Sequence, residues 1–237
     1  MTVHDGSGRS DGRAALMAAA WQELAESGAT GLSLRAVARR AGVSHAAPKH
    51  HFGDRTGLLT ALAVVGFEHL RKRFEAVTAT PQERPIDRVA ALGRAYLDFS
   101  LAEPVMFDVM FGSEPLHQDD PKLAQQRRSV FGVLDYLVSG ADPWPPSESR
   151  PVPLESLMAW ALIHGLVVLT RDGSLQRVTG TESPAETAEK ARALAAAFTE
   201  RFGAILAWDG AAPVAGDAGR TGEAVEAVSR TGSPAKA

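Results

Sequence analysis

Two short apolar patterns separated by a glycine, between Ser33 and Phe52, restrict the possible fold more than any other feature of the sequence. Apolar side chains recur at helical spacing over Leu34–Ala41, which predicts a helix with one buried face. Gly42 follows where helices commonly end in a left-handed residue. Ser33 and Ser44 precede the two predicted helices, so we expect their side chains to accept hydrogen bonds from the first backbone N–H groups. A helix, a short turn containing glycine and a second helix form a helix-turn-helix, whose second helix can enter the major groove of DNA.

This segment resembles the operator-binding segment of the tetracycline-repressor (TetR) family of bacterial regulators. Small and apolar residues at fixed offsets carry the resemblance: Gly28, Ser33, Val37-Ala38, Ala41-Gly42-Val43-Ser44, His51-Phe52 and Leu58-Leu59. The resemblance implies an all-α protein, with an N-terminal three-helix helix-turn-helix DNA-binding domain and a C-terminal helical domain for ligand binding and dimerisation. The sequence departs from the family pattern at Pro48-Lys49, where the family usually has an aliphatic residue followed by Tyr.

The second helix of the motif supplies most of the predicted DNA contacts. Small Ala46 and Ala47 would allow close approach and contact with a thymine methyl group, and Lys49 would reach a phosphate as a point charge. If Ser44 is the cap, Pro48 is the fourth helical residue, at the limit where a missing N–H is tolerated, which predicts a short and slightly distorted helix. The complete predicted DNA-binding set is Ser33, Leu34, Arg35, Ser44, His45, Ala46, Ala47, Lys49, His50 and His51.

Three histidines, His45, His50 and His51, raise the alternative of a metal site in the same helix. Adjacent His50 and His51 point in different directions on a helix, and the helix has no carboxylate to complete a set of ligands. The chain has no cysteine, which excludes disulfides and thiolate metal sites. We therefore expect neither a metal nor another cofactor, and interpret the histidines as groove-contacting or packing residues.

Charge is distributed unevenly along the 237 residues. The formal net charge is −3, yet residues 1–80 carry ten Lys and Arg against seven Asp and Glu, and residues 81–237 carry fifteen against twenty-one. This asymmetry is typical of a basic nucleic-acid-binding module on an acidic body. Arg9 and Arg13, near the start of the first predicted helix, are interpreted either as phosphate contacts or as solvated surface charges. No apolar run approaches a membrane span and residues 1–9 lack the apolar core of a signal peptide, so the expected location is the cytoplasm.

Composition and periodicity divide the chain into four predicted segments. Residues 1–9 form a disordered arm, 10–56 the helix-turn-helix domain, 57–209 the helical ligand-binding and dimerisation domain, and 210–237 a disordered tail. The expected breaks in the helical domain are a linker at 80–85, a polar loop at 112–121 and a proline-rich segment at 142–153. Helices are predicted from about residue 10 to 27, from 56 toward 74, and over 86–101, 105–111, 122–138, 154–169 and 185–208.

Large side chains on the apolar faces of the later helices are candidates for a ligand pocket, and their character indicates a hydrophobic or aromatic ligand. The same side chains would equally form an ordinary core. The candidates are Tyr96, Phe107, Met110, Phe131, Trp160 and His164. Trp160, His164 and Gly165 also resemble the signature of a TetR subgroup named for those three letters.

Small residues on the helix at 154–169 bear on dimerisation. Ala159, Ala161 and Gly165 would allow a neighbouring helix to approach closely. The resemblance implies that the last two helices of each subunit form a four-helix dimer interface. The alternative is that their apolar faces form only the core of one subunit.

The sequence thus predicts a ligand-responsive, dimeric DNA-binding transcriptional regulator, in this family most often a repressor, which a small hydrophobic molecule releases from a near-palindromic operator. Two recognition helices about 34 Å apart would fit successive major grooves. The sequence has no phosphate-binding glycine loop, dinucleotide fingerprint or Gly-x-Ser-x-Gly motif, so an enzyme is not expected. His164 is interpreted first as a core histidine and second as a polar pocket group. The alternative is a helical small-molecule-binding protein or enzyme whose helix-turn-helix does not bind DNA, which only Pro48-Lys49 favours.

Overall fold

The described part of the chain is helical throughout, which confirms the predicted all-α class. The computed structural model describes residues 7–80, 84–139 and 152–208, and these ranges contain helices and turns without a β-strand. The helices are α1 (Ser7–Gly31), α2 (Leu34–Ala41), α3 (Ala47–Phe52), α4 (Arg55–Thr78), α5 (Pro85–Ala102), α6 (Pro104–Phe111), α7 (Pro121–Ser139), α8 (Leu154–Arg171), α9 (Ser174–Thr179) and α10 (Pro184–Trp208). Residues up to Gly203 belong to one compact unit. The predicted tail at 210–237 and most of the proline-rich segment lie outside the described residues.

The first helix begins earlier than the sequence predicts. Residues 7–9, assigned above to the disordered arm, belong to α1, and residues 1–6 lie outside the described ranges. Extending an existing helix is far easier than starting one, so the buried stripe of Leu16, Ala20 and Leu24 supports a helix that continues upstream. Helical geometry breaks at Gly28 (φ 68°, ψ 175°), where the sequence predicts the end of this helix.

Helices α1, α2 and α3 pack with the start of α4 into an N-terminal module. Gly42 takes the predicted left-handed conformation (φ 67°, ψ 26°), and its N–H points to the carbonyls of Ala38 and Arg39. On the outer side, Arg40 donates hydrogen bonds to Glu23 and Glu26, which ties α2 to α1. The apolar core of this module includes Leu16, Leu24, Val37, Ala38, Leu58 and Leu59.

The two predicted serine caps are corrected. Ser33 stands at the N-cap of α2, but its side chain makes no capping hydrogen bond within the described residues, and only its carbonyl accepts from the Val37 N–H at 2.9 Å. Ser44 lies in a turn before α3, where its carbonyl accepts from the Ala47 N–H at 3.0 Å. For Ser44 the reason is Pro48, whose fixed φ and missing N–H suit the first turn of a helix. The helix therefore begins at Ala47, and Pro48 is its second residue rather than its fourth.

Helix α4 leads from the N-terminal module into the rest of the chain. The Asp54 carboxylate caps it by accepting a 2.7 Å hydrogen bond from the Gly57 N–H. Its buried face extends to Phe74 and packs against α5, α6 and α7. Gly66 lies at the crossing with α6, where an added Cβ atom would come within 2.6 Å of the Met110 sulfur. The absence of a side chain at this position lets the two helices approach closely.

Helix α8 is more apolar than packing within the described chain requires. Its buried residues are Ser156, Ala159, Leu166 and Val167, while leucine, valine and methionine side chains elsewhere on it stay exposed. By length and composition alone Leu154–Arg171 could cross a membrane. This corrects the sequence expectation that no apolar run approaches that length.

Helix α9 is absent from the sequence prediction. It spans six residues between Gly173 and Gly180, which both have positive φ. Its buried side chain is Leu175, and one apolar residue gives no periodicity from which a helix could be recognised.

Candidate DNA interface and ligand cavity

The turn before α3 and the helix itself present the predicted DNA-contacting side chains. His45, Ala46, Lys49 and His50 are exposed. Of the other predicted residues, Ser33, Arg35 and Ser44 are exposed as well, and Leu34, Ala47 and His51 are half-buried. This arrangement leaves the face of α3 accessible to a partner, and its contact with DNA stays a prediction.

The departure from the family pattern at Pro48-Lys49 has a simple structural outcome. Pro48 is buried, so it fills an apolar position as the aliphatic residue of the family pattern would. Its missing N–H falls in the first turn of α3, where the backbone donors have no intrahelical partner. Lys49 is exposed and retains the option of a phosphate contact.

Aromatic packing fixes the end of α3 against α1. The Arg13 guanidinium lies 4.7 Å from the centroid of the Phe52 ring, a distance typical of a cation–π contact. His51 packs beside Phe52, with ring centroids 6.2 Å apart, and meets His50 edge-on at 5.3 Å. The described residues contain no cluster of His, Asp and Glu suited to a metal ion.

Arginines on α2 differ in whether their charge is already paired. Arg40 is engaged with Glu23 and Glu26, as described above. Arg35 and Arg39 are exposed and make no ion pair with any described residue. Arg39 was missing from the predicted DNA-binding set, although the adjacent pair Arg39-Arg40 was a visible signal of basic charge.

A cavity of about 480 Å³ lies among the helices that follow the N-terminal module. Four of the six predicted pocket residues, Tyr96, Met110, Phe131 and Trp160, line it, and a ligand there remains a prediction. The lining is Phe67, Phe74, Val89, Leu92, Gly93, Tyr96, Met110, Phe111, Arg127, Arg128, Val130, Phe131, Leu134, Val152, Ala159, Trp160, Leu162, Ile163, Ala195, Phe198, Thr199 and Phe202.

The other two predicted pocket residues, Phe107 and His164, do not contribute to this lining, and their role in ligand binding stays a prediction. They pack with ring centroids 5.9 Å apart in a nearly parallel stack. The Tyr96 hydroxyl lies 2.7 Å from Nδ1 of His164, so these residues support the cavity wall through Tyr96. Burial lowers the pKa of His164 and raises the pKa of Tyr96, so both groups are held neutral near pH 7.

Arg127 and Arg128 line the cavity and were not predicted as pocket residues. Long charged side chains are usually assigned to the surface, so the sequence pattern did not indicate that these two arginines line a cavity. The available signal was their position on α7, because Arg127 precedes Phe131 by four residues and Phe131 lines the same cavity.

Polar contacts connect the loop after α6 with the N-terminal module. Arg55, at the start of α4, donates from Nη1 to the Glu114 carboxylate at 2.8 Å and from Nε to the Leu32 carbonyl at 3.2 Å. The Thr30 hydroxyl donates to the other Glu114 oxygen at 3.1 Å. Further along the loop, the His117 backbone N–H donates to the Thr60 hydroxyl at 2.9 Å.

Comparison with known proteins agrees with this architecture. The family described as bacterial regulatory proteins, tetR family, matches residues 16–62, and the tetracyclin repressor-like C-terminal domain matches residues 89–191. The HTH-type transcriptional regulator BetI of Burkholderia thailandensis is 30% identical over 160 residues, which cover 65% of this chain and 78% of that protein.

Solved structures share the fold. A protein with unknown function from Rhodococcus sp. RHA1 is 30% identical, with a TM-score of 0.64 over 85% of this chain and 96% of that chain. FadR from Bacillus subtilis, solved in complex with stearoyl-CoA, is 15% identical with a TM-score of 0.55 over 80% of this chain and 97% of that chain. The two family models and BetI agree with the expectation of a transcription regulator. The chain belongs to the tetR family of bacterial regulatory proteins and is a DNA-binding transcription regulator.

Proposed function

We propose that this regulator is a dimeric repressor that a small hydrophobic molecule releases from a near-palindromic operator. The observation that carries the proposal is the position of the cavity on α4 and α6, the two helices that also contact the N-terminal module. Phe67 of α4 and Phe111 of α6 line the cavity, and the polar loop after α6 reaches Arg55 and Thr30. A ligand that favours one arrangement of these helices would change the population able to bind DNA.

The proposed DNA contacts are the ten residues predicted from the sequence, with Arg39 added because its exposed charge is unpaired within the described chain. Lys49, Arg35 and Arg39 would neutralise phosphates, and Ala46 with the histidines would approach the base edges. The proposed domains are those of the sequence analysis, with the DNA-binding domain at 10–56 and the ligand-binding and dimerisation domain at 57–209. Pro48 gives little support to a non-functional helix-turn-helix, since it lies in the first turn of α3.

The proposed dimer interface is the exposed apolar stripe of α8. Its members stand at positions i, i+3, i+4, i+8, i+14 and i+15 of the helix, which places them on one face: Leu154, Leu157, Met158, Leu162, Val168 and Leu169. Gly165 lies within this stripe, and an added Cβ atom there would meet no described atom within 4 Å. A second copy packing on this face, with α10 alongside it, would bury the stripe in a two-fold interface. Burial in a dimer accounts for this apolar surface in a protein that acts on DNA in the cytoplasm.

We assign the chain to the subgroup with the Trp-His-Gly signature on the basis of Trp160, His164 and Gly165. Each of the three has a distinct environment. Trp160 lines the cavity, His164 supports Tyr96 from behind, and Gly165 is exposed on the stripe. The signature would thus join the ligand cavity to the dimer face on a single helix.

The test is a fluorescence anisotropy titration of DNA from upstream of the chain's own coding sequence, with scrambled DNA as reference. We expect selective binding that weakens as salt rises. Lys49→Ala and Arg39→Ala should weaken binding and reduce the slope of log K against log salt by about 0.9 for each phosphate that the variant no longer neutralises. Arg94→Ala removes an exposed arginine of α5 and should change neither. Equal affinity for both DNAs, or salt-insensitive binding, would contradict the proposal.

A further inference from the structure

Charge inside the cavity is confined to one helix. Among the described residues of the lining, Arg127 and Arg128 of α7 are charged, and no Asp or Glu accompanies them. Of the polar side chains there, Tyr96 is engaged with His164, and Thr199 donates to the Ala195 carbonyl at 2.9 Å. The remaining surface is dominated by aromatic and aliphatic side chains.

Arg128 is half-buried, and part of its guanidinium group lacks a hydrogen-bond partner among the described residues. Its Nε atom is buried without a hydrogen-bond partner, and no carboxylate pairs with it in the part of the chain that the structure describes. Buried polar groups in folded proteins are nearly always hydrogen-bonded, and buried charges are nearly always paired. An unpaired guanidinium in a cavity wall is therefore a position where a ligand could supply the missing acceptor.

Within the described residues, Arg127 contacts neutral groups. One of its Nη atoms donates to the Gln118 side-chain oxygen at 2.6 Å, and its guanidinium lies 5.5 Å from the centroid of the Phe67 ring. Burial lowers the pKa of Arg127, which reflects the loss of water around the charged group. Neither Gln118 nor Phe67 neutralises the charge, so the electrostatic field of both arginines extends into the cavity.

We infer that the cavity binds an amphipathic carboxylate, whose anionic group pairs with Arg128 and Arg127 and whose apolar body lies against the aromatic side chains. A guanidinium presents parallel N–H donors that match the two oxygens of a carboxylate. The low dielectric of an apolar cavity strengthens this attraction compared with water. The inference rests on the proposed function, because it specifies the chemical class of the effector that the same cavity would take.

The size and walls of the cavity fit a fatty or an aromatic acid. A volume of about 480 Å³ falls within the range of small-molecule sites, about 300–1,000 Å³. Phe67, Phe131 and Trp160 offer ring surfaces to an aromatic group, while Leu92, Leu134 and Ile163 would pack along an alkyl chain. A cationic ligand would meet two like charges, and a neutral one would leave Arg128 unpaired.

Calorimetric titration of the full chain with two matched pairs of probes tests the inference. Dodecanoate is compared with dodecanol, and 1-naphthaleneacetate with 1-naphthaleneethanol, so that each pair keeps the apolar body and changes the head group. We expect at least one acid to bind ten-fold or more tightly than its alcohol. The pair that shows the preference distinguishes an alkyl effector from an aromatic one.

Substitutions of the arginines locate the effect. Arg128→Gln should reduce the preference for the acid to three-fold or less, and Arg128→Lys should restore part of it because the charge returns. Arg127→Gln should also weaken binding of the acid, since it removes the second charge. Arg94→Gln, which removes an exposed arginine outside the cavity, should leave both affinities unchanged. Circular dichroism and thermal unfolding check that each variant is folded. If Arg128→Gln does not fold, the test uses Arg128→Lys and Arg127→Gln instead.

Equal affinities within both pairs, or no binding by either acid, would overturn the inference. An acid preference unchanged in the arginine variants would overturn it too. A separate experiment tests the proposed function: the tighter-binding acid is added to the complex of the protein with its operator, and release of the DNA is measured. An acid that binds through Arg128 but leaves the DNA bound supports the inference and contradicts ligand-induced release.

Discussion

The Arg55 guanidinium and the Glu114 carboxylate, 2.8 Å apart, join the first turn of α4 to the loop that follows α6. Phe111, three residues before Glu114, lines the cavity, and Thr30 of the N-terminal module contacts the same carboxylate. Glu114 therefore lies between a cavity wall and the turn that precedes α2. A displacement of α6 would act on this turn through a short chain of polar contacts.

Glu114→Gln tests whether this carboxylate holds the turn between α1 and α2. Glutamine keeps the shape but removes the charge that attracts Arg55, so the turn should open more often. We expect backbone amides at residues 29–33 to exchange with deuterium several-fold faster, measured by mass spectrometry. Glu103→Gln is the matched control, because Glu103 pairs with Arg73 at 3.7 Å on another part of the chain. Identical exchange in the Glu114 variant and wild type would show that the contact does not hold the turn.

The crossing of α4 and α6 gives a second prediction. Gly66→Ala adds a Cβ atom within 2.6 Å of the Met110 sulfur, so Met110 must move, and it lines the cavity. Overpacking of this kind costs about 1–3 kcal/mol, whereas alanine favours a helix over glycine by about 1 kcal/mol. We expect the free energy of unfolding to fall by up to about 2 kcal/mol in denaturant titrations.

Gly132→Ala is the control for that substitution. Gly132 also lies inside a helix, but an added Cβ atom there has no described atom within 4 Å. Only the difference in helix propensity between glycine and alanine remains, so the free energy of unfolding of this variant should rise by up to about 1 kcal/mol. If Gly66→Ala were stabilised as much as Gly132→Ala, the close approach of the helices would not constrain residue 66.

The stripe on α8 gives a third prediction, for the oligomeric state. Leu162, near its centre, is 43% exposed in the single chain. Leu162→Glu would place two like charges at a two-fold interface and remove apolar area, so sedimentation should detect a monomer with much weaker operator binding. Val178→Glu also replaces an aliphatic side chain by glutamate, at a position on α9 that is 85% exposed. This variant should stay dimeric. An intact dimer in the Leu162 variant would place the interface elsewhere.

The sequence was sufficient to predict the bounds of a helix where a single periodic apolar face determines them. The helices at 185–208 and 105–111 were predicted within one residue of α10 and α6, because apolar residues recur along them without a competing signal. The start of α3 was missed because two local rules compete there. Ser44 offers a side-chain cap, but Pro48 prefers the first turn, and its covalent restriction is the stronger of the two.

Periodicity also could not tell cavity from core. Phe107 and Tyr96 both lie on buried faces, yet of the two only Tyr96 lines the cavity. Which buried side chains line a cavity depends on where neighbouring helices leave space between them. Arg127 and Arg128 were overlooked for the opposite reason, because a charged residue is ordinarily counted as surface. Whether a side chain faces a cavity is set by tertiary packing, which no pattern within one helix records.

The contact between His164 and Tyr96 gives a pH prediction. Burial lowers the pKa of His164, so below about pH 6.5 the unfolded chain binds a proton that the folded chain excludes. Stability should therefore be level above that value and fall as the pH drops through it. In His164→Gln, whose amide oxygen can accept from the Tyr96 hydroxyl, the unfolding midpoint should fall less between pH 7.5 and 5.5 than in wild type. Equal slopes in wild type and His164→Gln would show that His164 titrates alike in both states.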